Sequence, residues 1–125
     1  MKIGLDIHNC IDAAPEFFAE LSCLFVDAGN DVYIITGSMK TSKLEGQLKD
    51  WGIAYTHFFS VSDYLIEQGE AVRYSDPENP WFDEEVWRRA KGDYCKRVGI
   101  DMHIDDTERY AKHFKDTKFM LVNIK

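Results

Sequence analysis

The sequence predicts an α/β protein built on an open parallel sheet of about five strands, with helices on both faces. Three observations carry this reading. Four or five short apolar runs alternate with stretches of helical periodicity. The run "DVYIIT" is too continuously apolar to leave one face wet, as expected of a strand buried on both sides. Acidic or hydroxyl residues follow several of the runs, at the strand ends where such sheets bind ligands.

The elements follow in order. "KIGLD" is the first strand, ending at Asp6. "PEFFAELSCLFVDAG" is a helix with Pro15 in its first turn and Gly29 near its end. Phe17, Phe18, Leu21, Leu24, Phe25 and Ala28 recur at helical spacing and are expected to form its buried stripe. "DVYIIT" is the second strand, ending at Thr36. "KLEGQLKDWG" places Leu44, Leu48 and Trp51 on one helical face, and Gly52 stops it. "AYTHFFS" is the third strand.

Residues 61–82 break the alternation with a short helical piece, an extended piece at "AVRY" and a turn around Pro77 and Pro80. The segment is long for a connection and rich in aromatics, which suits either a lid over a site or a packed surface excursion. "DEEVWRRAKGDYCKRVG" is a helix with acids early and basic residues late, as the helix dipole prefers, and Gly92 is expected to interrupt it. "DMHI" is a strand ending at Asp105 and Asp106, "ERYAKHF" a short helix and "FMLVNI" the last strand. The whole is expected to be one three-layer, Rossmann-like domain over residues 1–125.

Composition narrows the function. The chain has 125 residues, 45% of them hydrophobic and 14% aromatic, enough for one core without disulfide or metal staples. A formal charge of -7 argues against a protein that tracks duplex nucleic acid, which requires a basic face. It does not exclude a small anionic substrate, because a bound cation and a few local positive groups can override the global charge. Cys10, Cys23 and Cys95 form no C-x-x-C pair and read as free thiols of a reducing cytosol. Asp6 and His8 interrupt the only apolar N-terminal run, and no stretch approaches the length of a membrane span. The expectation is a cytoplasmic protein with no membrane partner; oligomeric state is open.

The strand ends supply the candidate site. Asp6, Thr36, Asp105 and Asp106 would meet at one sheet edge, although they are far apart in sequence. Crowded carboxylates repel one another unless protonated or neutralised, and a hard divalent cation is the usual solution. Lys91, placed near the expected helix break, could bring a positive charge to the same edge.

In this order the motifs resemble those of the haloacid dehalogenase superfamily of phosphotransferases, in its small, nearly capless, nucleotidase-like form. The first motif of that family, D-x-D-x-T, is matched in part by Asp6-Ile7-His8-Asn9-Cys10; the second by "VYIITGS" with Thr36; the third by Lys91; the fourth by "MHIDD". The run "KGDYCKRVGIDMHIDD" favours Lys91 over Lys96 as the motif lysine. The resemblance spans nearly the whole chain.

It implies Mg²⁺-dependent hydrolysis of a small phosphomonoester, which could be a nucleotide, through an aspartyl-phosphate on Asp6. Mg²⁺ would be held by Asp6, the backbone carbonyl of His8 and Asp105, with Asp106 ligating through water or orienting Lys91. Thr36 and Lys91 would bind the phosphoryl group, with Gly37 and Asn9 in the same phosphate site. The chain departs from the pattern at His8, which stands where family phosphatases carry their acid–base Asp, and at Asn9 and Cys10, which replace Gly and Thr. A histidine can exchange protons near neutrality, so the substitution need not abolish turnover.

Plainer readings exist for each residue. Asp105 and Asp106 could cap the following helix, His8 could be a hydrogen-bonded structural residue, and Lys91 a surface lysine. His103 reads as a satisfied, partly buried strand residue, and Trp81, Phe82 and Trp87 as core or hinge packing. His57 and His113 show no zinc pattern, and Cys10 has no nucleophile signature. Two other functions compete: a catalytically impaired domain that binds a phosphate ligand or a protein, and a receiver-type signalling domain. The receiver reading is the poorer fit, because here a lone Asp follows strand one and the acid pair follows strand four.

Overall fold

The computed structural model describes residues 1–74 and 76–125; Ser75, within the 61–82 excursion, lies outside the described residues. The first five regular elements on the chain's central layer and its flanks are β1 (Lys2–Leu5), α1 (Pro15–Asp27), β2 (Asp31–Thr36), α2 (Ser42–Asp50) and β3 (His57–Ser60). Then come α3 (Val61–Glu67), a hairpin of β4 (Arg73–Tyr74) and β5 (Pro80–Trp81), α4 (Glu84–Val98), β6 (Met102–Asp105) and β7 (Lys118–Leu121). Residues 11–13 and 108–113 form 3₁₀ turns rather than α-helix.

The main sheet has the order β3-β2-β1-β6-β7, and all its pairings are parallel. The chain steps outward from β1 to β2 and β3, then crosses back to β6 on the other side of β1. That reversal is the switch point of an open, Rossmann-like sheet. Leu5 pairs with both Ile34 and Ile104, so Asp6 and Asp105 end adjacent strands at the same level.

Period-two alternation divides the core between two faces. Val32 and Ile34 join Ile3, Leu5, Phe18 and Leu48 on the α1–α2 side, whereas Tyr33 and Ile35 pack with Cys95 and Ile100 on the α4 side. Local chemistry fixes the helix ends. The Thr41 hydroxyl accepts the Leu44 N–H, the Ser60 hydroxyl that of Asp63, and the Asp83 carboxylate those of Glu85 and Val86. Gly99 closes α4 in the left-handed conformation at φ 78°. Among the described residues no helix is long and apolar enough to cross a membrane.

Three expectations need correction. Of the stripe expected on α1, Phe18, Leu21 and Phe25 pack on the core, with Ser22 buried among them, while Phe17 is 61% and Leu24 64% exposed and Ala28 is exposed too. The apolar arc is wider than the contact with the sheet, so apolar spacing did not say where the buried side ends. Second, Gly92 does not interrupt α4, and Lys91 therefore sits in a continuous helix. Gly92 serves close packing instead: a Cβ there would lie 2.3 Å from the backbone oxygen of His113. Third, Trp81 stands on the exposed hairpin, although Phe82 and Trp87 do stack on each other at 5.7 Å. The 61–82 segment thus divides into a packed helix, with Val61, Ser62 and Leu65 buried, and a solvent-facing hairpin.

Alanine ordinarily exceeds glycine in a helix interior by about 0.8–1.0 kcal/mol. At position 92 the backbone clash reverses the sign: Gly92→Ala is expected to lower stability by about 1–3 kcal/mol in a urea melt. A neutral or stabilised variant would show that residues 108–113 yield at little cost.

Candidate active site

The carboxyl edge of the sheet brings together four residues singled out by the sequence. Lys91 reaches from α4 to the switch point, where its Nζ donates to Asp6 Oδ1 at 2.9 Å and to Asp105 Oδ2 at 2.8 Å. All three side chains are nearly inaccessible, at 7%, 7% and 0% exposure. Single carboxylate oxygens of Asp6, Asp105 and Asp106 lie within 4.8 Å of one another. Lys91 is therefore not a surface lysine; its ammonium also lies 5.5 Å from the centre of the Tyr110 ring.

The environments of the two bridged carboxylates differ. Burial, opposed by the Lys91 charge and reinforced by that of Asp105, pushes the Asp6 carboxyl up from 3.8 to about 6. Burial would raise Asp105 as well, but the hydrogen bond from His103 and the Lys91 charge hold it well below the usual carboxylate range. Burial would discharge Lys91, yet the two carboxylates outweigh it and keep the ammonium charged. Burial also pulls His103 below its ordinary value, and because the carboxylate can only accept, Nε2–H donates to Asp105 Oδ2 at 2.9 Å.

This donor set fits a hard divalent cation. One ammonium does not neutralise three carboxylates, and all the available ligand atoms are oxygens. Lys91 takes Asp6 Oδ1 and the Thr107 hydroxyl takes Asp106 Oδ1 at 3.2 Å, while the Asp6 and Asp106 carboxyl groups also meet each other. The Asp105 carboxylate also accepts the Thr107 N–H at 3.0 Å, a local turn cap, while the 3₁₀ turn that follows has no side-chain cap.

The remaining candidates lie around this cluster rather than in it. His8 is exposed on the β1–α1 loop, where its Nε2 is 2.8 Å from the Ser38 hydroxyl and its Nδ1 3.6 Å from Asp12 Oδ2. Thr36 is fully buried, and its hydroxyl accepts the Ser38 N–H at 3.2 Å. Gly37 lies under the Trp87 indole, where a Cβ would meet Cζ2 at 2.7 Å, and its carbonyl accepts the Ser62 hydroxyl at 2.6 Å. Asn9 takes φ 57°, the left-handed conformation that glycine adopts most readily and asparagine next, so the loop keeps a glycine-like turn. Its N–H is held by Asp12 Oδ1 at 2.7 Å. Asn9 and Asp106 line a cleft of about 370 Å³ together with Glu108 and residues 121–124. Cys10 is buried in the core, and burial raises its thiol pKa, which leaves it inert.

Sequence reasoning missed the partners. Ser38, Asp12 and Thr107 carry no pattern that marks them. His103 did: a histidine two residues before a strand-end aspartate shares its face. It is fully buried rather than partly so. Comparison with protein-family models, with curated proteins and with solved structures finds no match to this chain. The meaning of the site therefore rests on its own chemistry.

The raised Asp6 value has a stability consequence. Below pH 3.8 the group is protonated folded and unfolded, and the shift has no effect. Between 3.8 and about 6 the folded state keeps a proton that the unfolded chain has lost, so this group's contribution falls as pH rises. Asp6→Asn removes that charge and keeps an acceptor for Lys91. It is expected to stabilise the metal-free protein at pH 8 by ~1–3 kcal/mol, with the gain vanishing near pH 4. Lys91→Met, which strands two buried carboxylates, is expected to cost about 3–5 kcal/mol in the same chemical melts. An Asp6→Asn variant less stable than wild type at pH 8 would refute the account of the cluster's charge.

Proposed function

We propose that the chain is a small, nearly capless member of the haloacid dehalogenase superfamily, acting as a Mg²⁺-dependent hydrolase of a small phosphomonoester. The observation that supports this best is the buried lysine bridging two strand-end aspartates across the switch point, with a third carboxylate beside them. A nucleotide substrate rests on the resemblance in sequence alone.

In this reading Asp6 attacks phosphorus. An Asp6 Oδ–P bond forms as the P–O bond to the leaving alcohol breaks, and the departing oxygen takes a proton from His8. A water that gives its proton back to His8 then attacks phosphorus, releasing inorganic phosphate and restoring the Asp6 carboxylate. Mg²⁺, held by Asp6, Asp105, Asp106 and the His8 carbonyl, would lower the repulsion between an anionic nucleophile and an anionic substrate. Lys91 holds Asp6 and balances charge as it develops. Thr36 shapes the loop that carries Ser38 and, through it, His8.

A second reading is a catalytically impaired domain of the same fold that binds a phosphate ligand or a protein. The position of His8 favours it, since the imidazole is held by Ser38 and Asp12. Phosphate release from a panel of phosphomonoesters, with Mg²⁺ or EDTA, separates the two. The hydrolase reading expects Mg²⁺-dependent turnover in wild type, none in Asp6→Asn, and a loss of about 10²–10⁴-fold in His8→Ala. Turnover in His8→Asp but not in wild type would support the binding module. Silence in wild type, Asp6→Asn and His8→Asp alike would remove catalysis from the account.

A further inference from the structure

The network around Asp105 contains a residue that the chemistry above does not use. His103 is fully buried in β6. Its ring stacks on Phe114 with centroids 5.2 Å apart and planes nearly parallel at 7°, and it lies over Gly4, where a Cβ would come within 2.7 Å of Nδ1. This seat fixes the ring, and Nε2 meets Asp105 Oδ2 at 2.9 Å.

Each carboxylate oxygen offers two lone pairs. On Oδ2 of Asp105 both are taken, one by Lys91 and one by His103. On Oδ1 the Thr107 N–H takes one. A single lone pair on Oδ1 is left, so this carboxylate can ligate through one oxygen only.

We propose that His103 is a positioning residue that confines Asp105 to one-oxygen ligation and thereby sets a preference for Mg²⁺ over Ca²⁺. The inference rests on reading the carboxylate cluster as a metal site. Mg²⁺ requires a tight octahedral set at about 2.0–2.1 Å, built from single oxygens and waters. Ca²⁺ takes about 6–8 oxygens at longer range and accepts a carboxylate through both of its oxygens. Removing the His103 donor returns a lone pair to Oδ2, so that each oxygen, although still held by Lys91 or Thr107, has one lone pair to offer an ion. The larger ion gains from that second oxygen and the smaller one does not. His103 acts on the ion only through Asp105.

The test is titration calorimetry with Mg²⁺ and with Ca²⁺ on wild type, His103→Phe and His103→Gln, which needs no turnover. Phenylalanine keeps the stack on Phe114 and loses the donor; glutamine keeps a donor at similar reach. Wild type is expected to prefer Mg²⁺, His103→Phe to lower the Mg²⁺/Ca²⁺ affinity ratio by about tenfold or more, and His103→Gln to restore most of it. His103→Leu takes the place of His103→Phe if the latter does not fold. An unchanged ratio in a folded variant lacking the donor overturns the proposal, as does a wild type that binds Ca²⁺ as tightly as Mg²⁺. A wild type that binds neither ion removes the metal site itself, an outcome distinct from binding with an unmoved ratio.

Discussion

The ammonium of Lys91 sits out of water between carboxylates from two neighbouring strands, and that arrangement constrains almost everything around it. Withdrawing such a charge from solvent costs several kcal/mol, so both partners must be held at hydrogen-bonding distance. The strand order does this by ending β1 and β6 at one level on either side of the switch point. The helix that carries Lys91 must then run unbroken and close to the 3₁₀ turn behind it, which is why its next residue has no side chain. Trp87, one turn earlier, donates its indole N–H to the Tyr110 hydroxyl at 3.0 Å and fixes the same surfaces together.

One consequence is that two aspartates on adjacent strands acquire opposite characters. Asp105 receives three N–H donors and stays ionised, whereas Asp6 has one donor and a strong tendency to hold a proton. Such divergence within a pair of titratable groups is how a site assigns separate duties to identical side chains. It also means that ionised Asp6 works against the stability of the metal-free fold near neutral pH, as functional groups commonly do, whereas Asp105 and Lys91 are favoured in their charged forms.

Much of this was legible in the sequence, because burial on both sides leaves long apolar runs and because the sheet's connection rules place their ends at one edge. Those rules place Asp6, Thr36, Asp105 and Asp106 together, whereas Lys91 comes in through an expected helix break and a resemblance of motifs. Lys91 was found for a partly mistaken reason, since the glycine beside it marks a close approach of two backbones rather than a break. What stayed hidden depends on orientation. The periodicity of α1 could not show where the buried side ends when Phe17 and Phe18 are equally apolar. Nothing in the strings around His8 and Thr36 reveals that both lean on Ser38, since a hydroxyl after a strand is common and its partner is set by the turn. The 61–82 segment was correctly read as anomalous, but its division into a packed helix and an exposed hairpin depends on contacts that no local pattern encodes.

The seat of the His103 ring over Gly4 makes the two positions unequal in what they can accept. A Cβ at position 4 would lie 2.6 Å from Ile35 Cδ1 and 2.7 Å from His103 Nδ1, so a side chain there needs room from both neighbouring strands at once. Position 103 is under no such restraint, because a residue no larger than the ring fits against the bare backbone. The dependence therefore runs one way: the glycine can outlast the histidine, but the histidine in its present seat cannot outlast the glycine.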